Sequence, residues 1–371
     1  MKVLFYIQSL SAGGAERVTA ILANYWVAHG WEAVVVTNAD ETLDFYALDP
    51  RVKRIALEKA CESRHIGHAV VHNIGRILAL RKILCTEQSD VSVAMMPTAN
   101  ATLAIAGKLA GVPTVGSERI HPPTLPLNRV WTSVRRYTYP LLDGMVAQTE
   151  ESASWLKKNA RSSQIRVIPN PVDYPLKSHA PYISPSKVKN SIGGRRTLLA
   201  VGRLEAQKGF DRLLNAFSRN SSEHKDWRLV ILGQGTLRDS LFNQAEELGI
   251  QERVALPGAV GNIGEWLEAA DLFVLTSRFE GFPNTLLEAL AYGVPSVAVD
   301  CETGPSEILR HEVDGLLVPQ DDPDALESAL DRLMGDVDLR AGFSERAVEV
   351  REHFAVHRIA NRWQQLFKEF I

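Results

Sequence analysis

Apolar residues along this chain fall into short unbroken runs separated by amphipathic stretches, and the rhythm continues to the far end. The first run, residues 3–7, is apolar at every position, as expected of a parallel strand covered on both faces. After a loop from Ser9 to Gly14, residues Ala15, Val18, Ile21, Leu22 and Tyr25 recur with helical spacing up to Gly30. A glycine suits the turn that ends a helix. A second buried run at 33–37 completes a βαβ unit, for which a right-handed crossover is expected. Further strands are predicted over 91–95, 114–117, 145–148 and 165–168, with helices over 69–84, 98–109, 129–139 and 150–159.

The alternation breaks at Pro169-Asn170-Pro171, and residues 171–194, rich in Pro, Ser and Lys, read as an interdomain linker. A second series then predicts strands over 197–201, 228–232, 253–256, 272–275, 296–299 and 316–318, with helical segments between them. Two βα series of this kind predict paired doubly wound α/β domains. Ligands of such domains bind beyond the carboxyl ends of the strands.

Composition narrows the function. At 371 residues, 45% of them hydrophobic, the chain can build two cores, which excludes a disordered protein. Lys plus Arg total 41 against 44 Asp plus Glu, for a net charge of −3, and this balance argues against broad nucleic-acid binding. The cysteines, Cys61, Cys85 and Cys301, form no C-x-x-C pair, which fits a reducing compartment. The least polar long stretch, 91–116, is interrupted by Pro97, Asn100, Lys108 and Pro113, whereas a membrane span needs roughly 20 unbroken apolar residues. The leading apolar run is too short for a signal-peptide core. A cytoplasmic protein is expected, with any membrane contact peripheral.

Four stretches carry candidate chemistry. Gly13-Gly14 lies between the first strand and first helix, where glycine lets backbone N–H groups approach an anion at a helix N-terminus; a tight turn alone would select the same pair. Gly202-Arg203-Leu204-Glu205-Ala206-Gln207-Lys208-Gly209 follows the first strand of the second series and sets two cations at a strand's carboxyl end, which suits a diphosphate. Glu280-Gly281-Phe282-Pro283-Asn284-Thr285-Leu286-Leu287-Glu288 carries two carboxylates able to accept from vicinal sugar hydroxyls. There Thr285-x-x-Glu288 also matches a capping box, a purely structural device, whereas Glu280 has no comparable structural explanation. Finally, Cys301-Glu302-Thr303-Gly304-Pro305-Ser306-Glu307 reads as a turn into a helix whose first amides could meet a ligand, or as a plain connection. No His/Cys cluster has metal-ligand spacing, and neither a metal nor a cofactor is expected.

In order and spacing these motifs resemble the retaining glycosyltransferases of the GT-B fold, in the large family four. The resemblance rests on Gly13-Gly14-Ala15-Glu16-Arg17, on Gly202-Arg203-Leu204 with Lys208, and on Glu280-x7-Glu288 with Gly281-Phe282-Pro283. Cys301-Glu302-Thr303-Gly304-Pro305 is similar to the loop of the subgroup that extends lipid-linked oligosaccharides and exopolysaccharide repeat units. The resemblance covers nearly the whole chain. It implies two Rossmann-like, doubly wound domains facing a central cleft: an acceptor domain over 1–170, the linker 171–194, a nucleotide-sugar domain over 195–355, and a helix at 356–371 crossing back to the first domain.

The family also implies roles. Arg203 and Lys208 would neutralise the donor diphosphate, Gly13 and Gly14 would offer it a backbone amide, Glu280 would hold donor-sugar hydroxyls and Glu288 the ribose. Gly281, Phe282, Pro283, Asn284 and Thr285 would shape the donor site. Many relatives carry a histidine in the loop after the 114–117 strand, often as Glu-His; here Ser117-Glu118-Arg119-Ile120-His121-Pro122 has Arg119 in that place. Either Arg119 takes the charge-stabilising part or His121 reaches in from two residues away. Arg119 is favoured, and His121 before two prolines reads as a surface residue.

The implied reaction moves a hexosyl or N-acetylhexosaminyl unit from a UDP-linked sugar to a glycan acceptor on a lipid diphosphate, in surface or exopolysaccharide biosynthesis. No carboxylate nucleophile emerges, so retention by same-face attack is expected. The rivals are a GT-B-fold sugar-nucleotide epimerase or hydrolase, and a non-catalytic sugar-nucleotide-binding protein. For the acceptor, or for an anionic inner membrane, the candidate surface is the helical stretch carrying Arg64, His65, His68, His72, Arg76 and Arg81, in which His65, His68, His72 and Arg76 share one face. Arg129, Arg135 and Arg136, mixed with Trp131 and Tyr137, form a second basic stretch. An ordinary solvated face is the alternative for both.

Overall fold

The computed structural model describes residues 1–58, 66–124, 127–162 and 164–371, with 66–70 as backbone alone. The chain divides into two compact units, Met1–Pro171 with Phe354–Ile371, and Val172–His353. Arg64 and His65 lie outside the described residues, as does Cys61, and the side chain of His68 does too.

The first unit is built on a parallel sheet of β1 (Lys2–Ile7), β2 (Glu32–Thr37), β3 (Lys53–Ala56), β4 (Val91–Met95), β5 (Thr114–Ser117), β6 (Gly144–Ala147) and β7 (Ile165–Val167). The strand order is β3-β2-β1-β4-β5-β6-β7. Alternate residues of β1 enter different cores: Val3, Phe5 and Ile7 pack with Trp26 and Trp363, while Leu4 and Tyr6 pack with Leu80, Leu84 and Leu103. Burial on both faces is why residues 3–7 of the strand are all apolar. β3 lacks this signature. It is a four-residue edge strand with no fully buried position, and its sequence, Lys-Arg-Ile-Ala, carries no apolar run to read.

The helix Val356–Phe367 belongs to this unit. It buries Ile359, Ala360, Trp363, Leu366 and Phe367, and Phe367 meets Trp26 at 5.5 Å between ring centroids. Apolar residues at i, i+1, i+4, i+7 and i+8 form the single stripe that such docking requires.

The second unit repeats the design with β8 (Arg196–Val201), β9 (Trp227–Leu232), β10 (Val254–Gly258), β11 (Leu272–Leu275), β12 (Ser296–Asp300) and β13 (Gly315–Pro319), in the order β10-β9-β8-β11-β12-β13. Of residues 171–194, expected as a linker, all but Pro171 belong instead to this unit. Val172 is buried, the His179 amide donates to the Gly261 carbonyl at 3.2 Å, and the Asn262 side chain bonds Ile183 N–H and C=O at 3.2 and 3.0 Å. Composition misread this stretch because its partners lie far along the chain; Asn262 is 79 residues beyond Ile183.

In each sheet the winding reverses beside the first strand, between β1 and β4 and between β8 and β11. Connections diverge there, which opens a crevice at the carboxyl ends of those strands. No helix among the described residues is long and apolar enough to cross a membrane.

Truncating Trp363, fully buried between the terminal helix and the sheet, should cost the first unit about 3–5 kcal/mol. Urea unfolding followed by far-UV circular dichroism reads this directly. A cost of Trp363→Ala below about 1 kcal/mol would contradict the docking of the helix.

Candidate active site

In the second unit the loops after β8 and β11 lock together at the winding reversal. Gly233 has φ +143°, and a Cβ there would lie 1.8 Å from the Gly202 carbonyl oxygen, so only glycine lets the loop after β9 cross this closely. Gly209, at φ +64°, plays the same part beside β11, where an added Cβ would meet the Thr276 carbonyl oxygen at 2.1 Å. Thr276 Oγ1 then donates to the Lys208 carbonyl at 2.9 Å, and Arg212 Nε donates to the Thr276 carbonyl at 2.8 Å. The turn that carries Lys208 is therefore fixed to the end of β11.

This fixing brings Lys208 against Glu280. Lys208 Nζ donates to Glu280 Oε1 at 2.6 Å, and Ser277 Oγ donates to the same oxygen at 2.6 Å. The pair is largely dehydrated, with side-chain exposures of 14% and 9%. Both bonds end on Oε1 and neither uses Oε2. From the other side, Thr303 Oγ1 donates to the Glu280 carbonyl at 2.7 Å, so the loop after β12 braces the carboxylate's backbone. Cys301 lies in this dry corner, where burial and the neighbouring Glu280 charge push its thiol up to about 12, unsuited to nucleophilic work.

Arg203 stands at the exposed rim. Its Nη2 donates to Gln207 Oε1 at 3.0 Å, and Gln207 Nε2 donates to the Phe279 carbonyl at 2.9 Å, so Gln207 ties Arg203 to the loop of Glu280. Arg278 and Asp211 pair through two bonds of 2.9 and 2.7 Å behind this turn.

Gly281, Phe282 and Pro283 are buried, and the helix Asn284–Ala291 starts at once after them. Its N-cap is Pro283, with no side-chain cap. The capping box expected of Thr285 and Glu288 is thus not formed: Thr285 already lies in the first turn, two residues past the cap position. Glu288 is buried within this helix at 4% exposure. A carboxylate taken out of water without that structural reason is a stronger functional candidate. The helix after Gly304 is a single turn, Pro305–Ile308, too short for its amides to act as an anion site. That loop serves instead as the brace described above.

In the first unit, β1 leads through Gly13 into the helix Gly14–Ala28. The Gly13 carbonyl accepts from Arg17 N–H at 3.1 Å, and no side chain caps the first turn. At the end of β5, Glu118 and Arg119 are both buried, at 2% and 6% exposure. Glu118 accepts from the Tyr139 hydroxyl at 2.5 Å and lies 3.3 Å from Arg135 Nη2; burial raises its pKa. Arg119 Nη1 donates to Asn170 Oδ1 at 2.9 Å, and its guanidinium lies 5.7 Å from the Trp363 ring. Burial pushes Arg119 down to about 9, so it remains a cation at neutral pH, and its Nη2 has no hydrogen-bond partner among the described residues.

Two expectations need correction here. His121 is not a surface residue: it is 2% exposed, with Nδ1 2.8 Å from Ser152 Oγ, because the turn at Pro122–Thr124 folds it under the helix Glu150–Asn159. Arg135 does not belong to an exposed basic patch, since it is buried as the counter-charge of Glu118 and lies 5.3 Å from the Trp155 ring. Arg81, also exposed, donates to the Leu109 carbonyl at 3.2 Å.

Two family models match the chain: Glycosyltransferase Family 4 over residues 12–174 and Glycosyl transferases group 1 over residues 184–350. The chain belongs to these glycosyltransferases. An N-acetylgalactosaminyltransferase of Campylobacter jejuni, named for adding α-1,4-linked N-acetylgalactosamine to an undecaprenyl-diphosphate-linked glycan, is 28% identical over 100% of this chain and 99% of that protein. An exopolysaccharide phosphotransferase of Streptomyces coelicolor is 36% identical over 62% of this chain, but that match spans only 24% of its own length. The crystal structure of Anabaena HepE with UDP and glucose matches with a TM-score of 0.79 at 21% identity, over 100% of both chains. The fold is GT-B.

Within this glycosyltransferase, Lys208, Glu280 and the Gln207–Arg203 pair come together where the loops after β8 and β11 meet. Ser277, Gln207 and the Thr303 hydroxyl were not singled out in the sequence, because a lone Ser, Gln or Thr carries no motif of its own. Among the described residues no group of three His, Cys, Asp or Glu side chains gathers in a metal-binding arrangement. The Asp-x-Asp triplets at 322–324 and 336–338 begin helices, with Asp322 and Asp336 accepting from the amides of Ala325 and Leu339.

Because the pair is dehydrated, Lys208→Met alone should destabilise the second unit by about 3 kcal/mol by stranding Glu280. Adding Glu280→Gln should recover most of that loss. A double-mutant cycle in urea would then give a coupling above about 1 kcal/mol, and a coupling near zero would mean that the ion pair does not form in solution.

Proposed function

We propose that the protein transfers a hexosyl or N-acetylhexosaminyl unit, with retention, from a UDP-linked sugar to a glycan carried on a lipid diphosphate. The observation that carries this reading is the Lys208–Glu280 pair, held at the carboxyl end of the second sheet where the winding reverses. The named activity of the C. jejuni relative supports the acceptor class, and the UDP and glucose bound to HepE support the donor class.

Each residue has a part in this proposal. Lys208 and Arg203 meet the donor diphosphate, and Lys208 exchanges Glu280 for phosphate when the donor enters. Glu280, released from that contact, accepts from donor-sugar hydroxyls through its carboxylate, while Glu288 holds the ribose. The segment Gly281, Phe282, Pro283, Asn284 and Thr285 sets the distance between these carboxylates. Gly13 and Gly14 give backbone amides to the donor phosphates, and Arg119 supplies a dehydrated cation whose Nη2 retains a donor to spend on developing charge.

The chemistry then follows from charge. The C1–O bond to the diphosphate breaks, leaving an oxocarbenium-like centre and a leaving group whose growing negative charge falls on preorganised cations. The acceptor hydroxyl attacks C1 from the same face, forming the new C1–O bond, and its proton passes to an oxygen of the departing phosphate. No protein nucleophile is required.

Contact with an anionic cytoplasmic membrane surface is part of the proposal. Val71, Ile74 and Leu78 lie exposed on one face of the helix Ile66–Glu87, with Arg81 and Lys82 exposed beyond them. Apolar side chains next to cations suit a lipid interface. Flotation with phosphatidylglycerol vesicles should retain the wild type and lose the variant Ile74→Gln/Arg81→Gln/Lys82→Gln, and equal retention of both would remove the membrane from this account.

Removing either cation, by Arg203→Ala or Lys208→Ala, should lower turnover by about 10²-fold or more, the scale of losing one preorganised charge stabiliser. Activity should persist in EDTA. Glu280→Gln should cripple transfer while leaving UDP binding measurable. The assay is product analysis with labelled UDP-sugars, with and without an undecaprenyl-diphosphate-linked glycan, and the anomeric configuration of the product is read by NMR. Release of free sugar alone would mark a hydrolase, and an inverted product would rule out the same-face mechanism.

A further inference from the structure

The first unit contains a pocket of about 260 Å³ that none of the donor residues lines. Gln8 and Asn38 follow directly on β1 and β2 and form one wall. Thr98 and Thr102, on the first turns of the helix Pro97–Ala110, form a second. Asn73 and Arg76 come from the helix Ile66–Glu87, and Trp131 from the helix Arg129–Thr138.

The hydrogen bonds of this pocket have a direction. The buried Tyr6 hydroxyl donates to Asn38 Oδ1 at 3.0 Å, and Asn38 Nδ2 donates to Gln8 Oε1 at 2.8 Å. In this arrangement Asn38 Oδ1 and Gln8 Oε1 both serve as acceptors, and Nε2 is the donor end of Gln8. Burial raises the Tyr6 pKa, so the hydroxyl stays protonated. Gln8 Nε2 and the Arg76 guanidinium are donors, and the two threonine hydroxyls and Asn73 can give or accept. Among the described residues that line the pocket none is acidic, and Arg76 is the single cation.

Amides and hydroxyls around one aromatic side chain suit a ligand with many hydroxyls and one apolar face. The volume lies just below the ~300–1,000 Å³ of pockets that hold drug-sized ligands, which is the class of a single sugar ring. A phosphate would want more than one cation, and a purely apolar ligand would leave the amides dehydrated without partners. We propose that this pocket binds a neutral pyranose, its hydroxyls on the Gln8–Asn38 wall and its apolar face on Trp131, and that the pyranose is a sugar of the acceptor glycan. The second half of this statement rests on the transferase reading; the first does not.

The test is saturation-transfer NMR of the full chain with the methyl α-glycosides of glucose, galactose, N-acetylglucosamine and N-acetylgalactosamine. At least one should bind at millimolar concentration. Trp131→Ala and Gln8→Ala, both outside the cores, should weaken it by about tenfold or more while UDP affinity stays within about twofold. With the lipid-linked acceptor, the same variants should raise acceptor KM by a similar factor at unchanged donor KM. No binding of any glycoside, equal binding by both variants, or displacement of the glycoside by uridine would overturn the pocket's assignment. Loss of glycoside binding in the variants, in a protein that transfers no sugar, would sustain the pyranose pocket while the transferase reading fails.

Discussion

A parallel sheet covered on both faces has no polar surface of its own, so whatever chemistry it hosts must sit where the strands end. In both units of this protein the central strands are mostly apolar and buried, and the candidate site groups lie just beyond their carboxyl ends. The reversal of winding beside β1 and β8 keeps the flanking connections apart, so loops from non-consecutive strands can converge there. Everything proposed for the second unit depends on that convergence. Lys208 follows β8 and Glu280 follows β11, 72 residues later, yet they lie 2.6 Å apart.

What holds them is a set of close backbone approaches rather than the ion pair itself. A dehydrated pair breaks about even against an apolar replacement, so it is weak evidence of stabilisation. The crossings at Gly202–Gly233 and Gly209–Thr276, and the hydroxyl bonds from Thr276 and Thr303, set the geometry independently of charge. The pair is better understood as a resting arrangement, in which each ion compensates the other until a ligand with its own charge and hydroxyls arrives. Ser277 makes that exchange less costly, because its hydroxyl still serves Glu280 Oε1 when the amine has moved.

Twelve of the described strands were legible in the sequence, most of them because burial on both faces forced an apolar run. β3 was not, because an edge strand of Lys-Arg-Ile-Ala need only look half-buried. The paired motifs at Arg203–Lys208 and Glu280–Glu288 were legible because their order along the chain mirrors the order of strand ends. Contacts that join distant residues were hidden. The packing of 172–194 on Asn262, the burial of His121 under Ser152, and the use of Arg135 by Glu118 each depend on a partner that no local pattern announces. For the same reason an arginine that looked like surface charge proved to be interior, and a Thr-x-x-Glu that looked like a helix cap fell two residues past the actual cap.

The central claim is that Lys208 gives up Glu280 to hold a diphosphate. Isothermal titration calorimetry of UDP against uridine, in the wild type and in Lys208→Met, isolates that step because uridine lacks only the phosphates. The wild type should prefer UDP strongly, and Lys208→Met should narrow the gap by about 1.5–3 kcal/mol, the scale of one charge-assisted hydrogen bond, with uridine affinity unchanged. An undiminished preference for UDP in Lys208→Met would contradict the account.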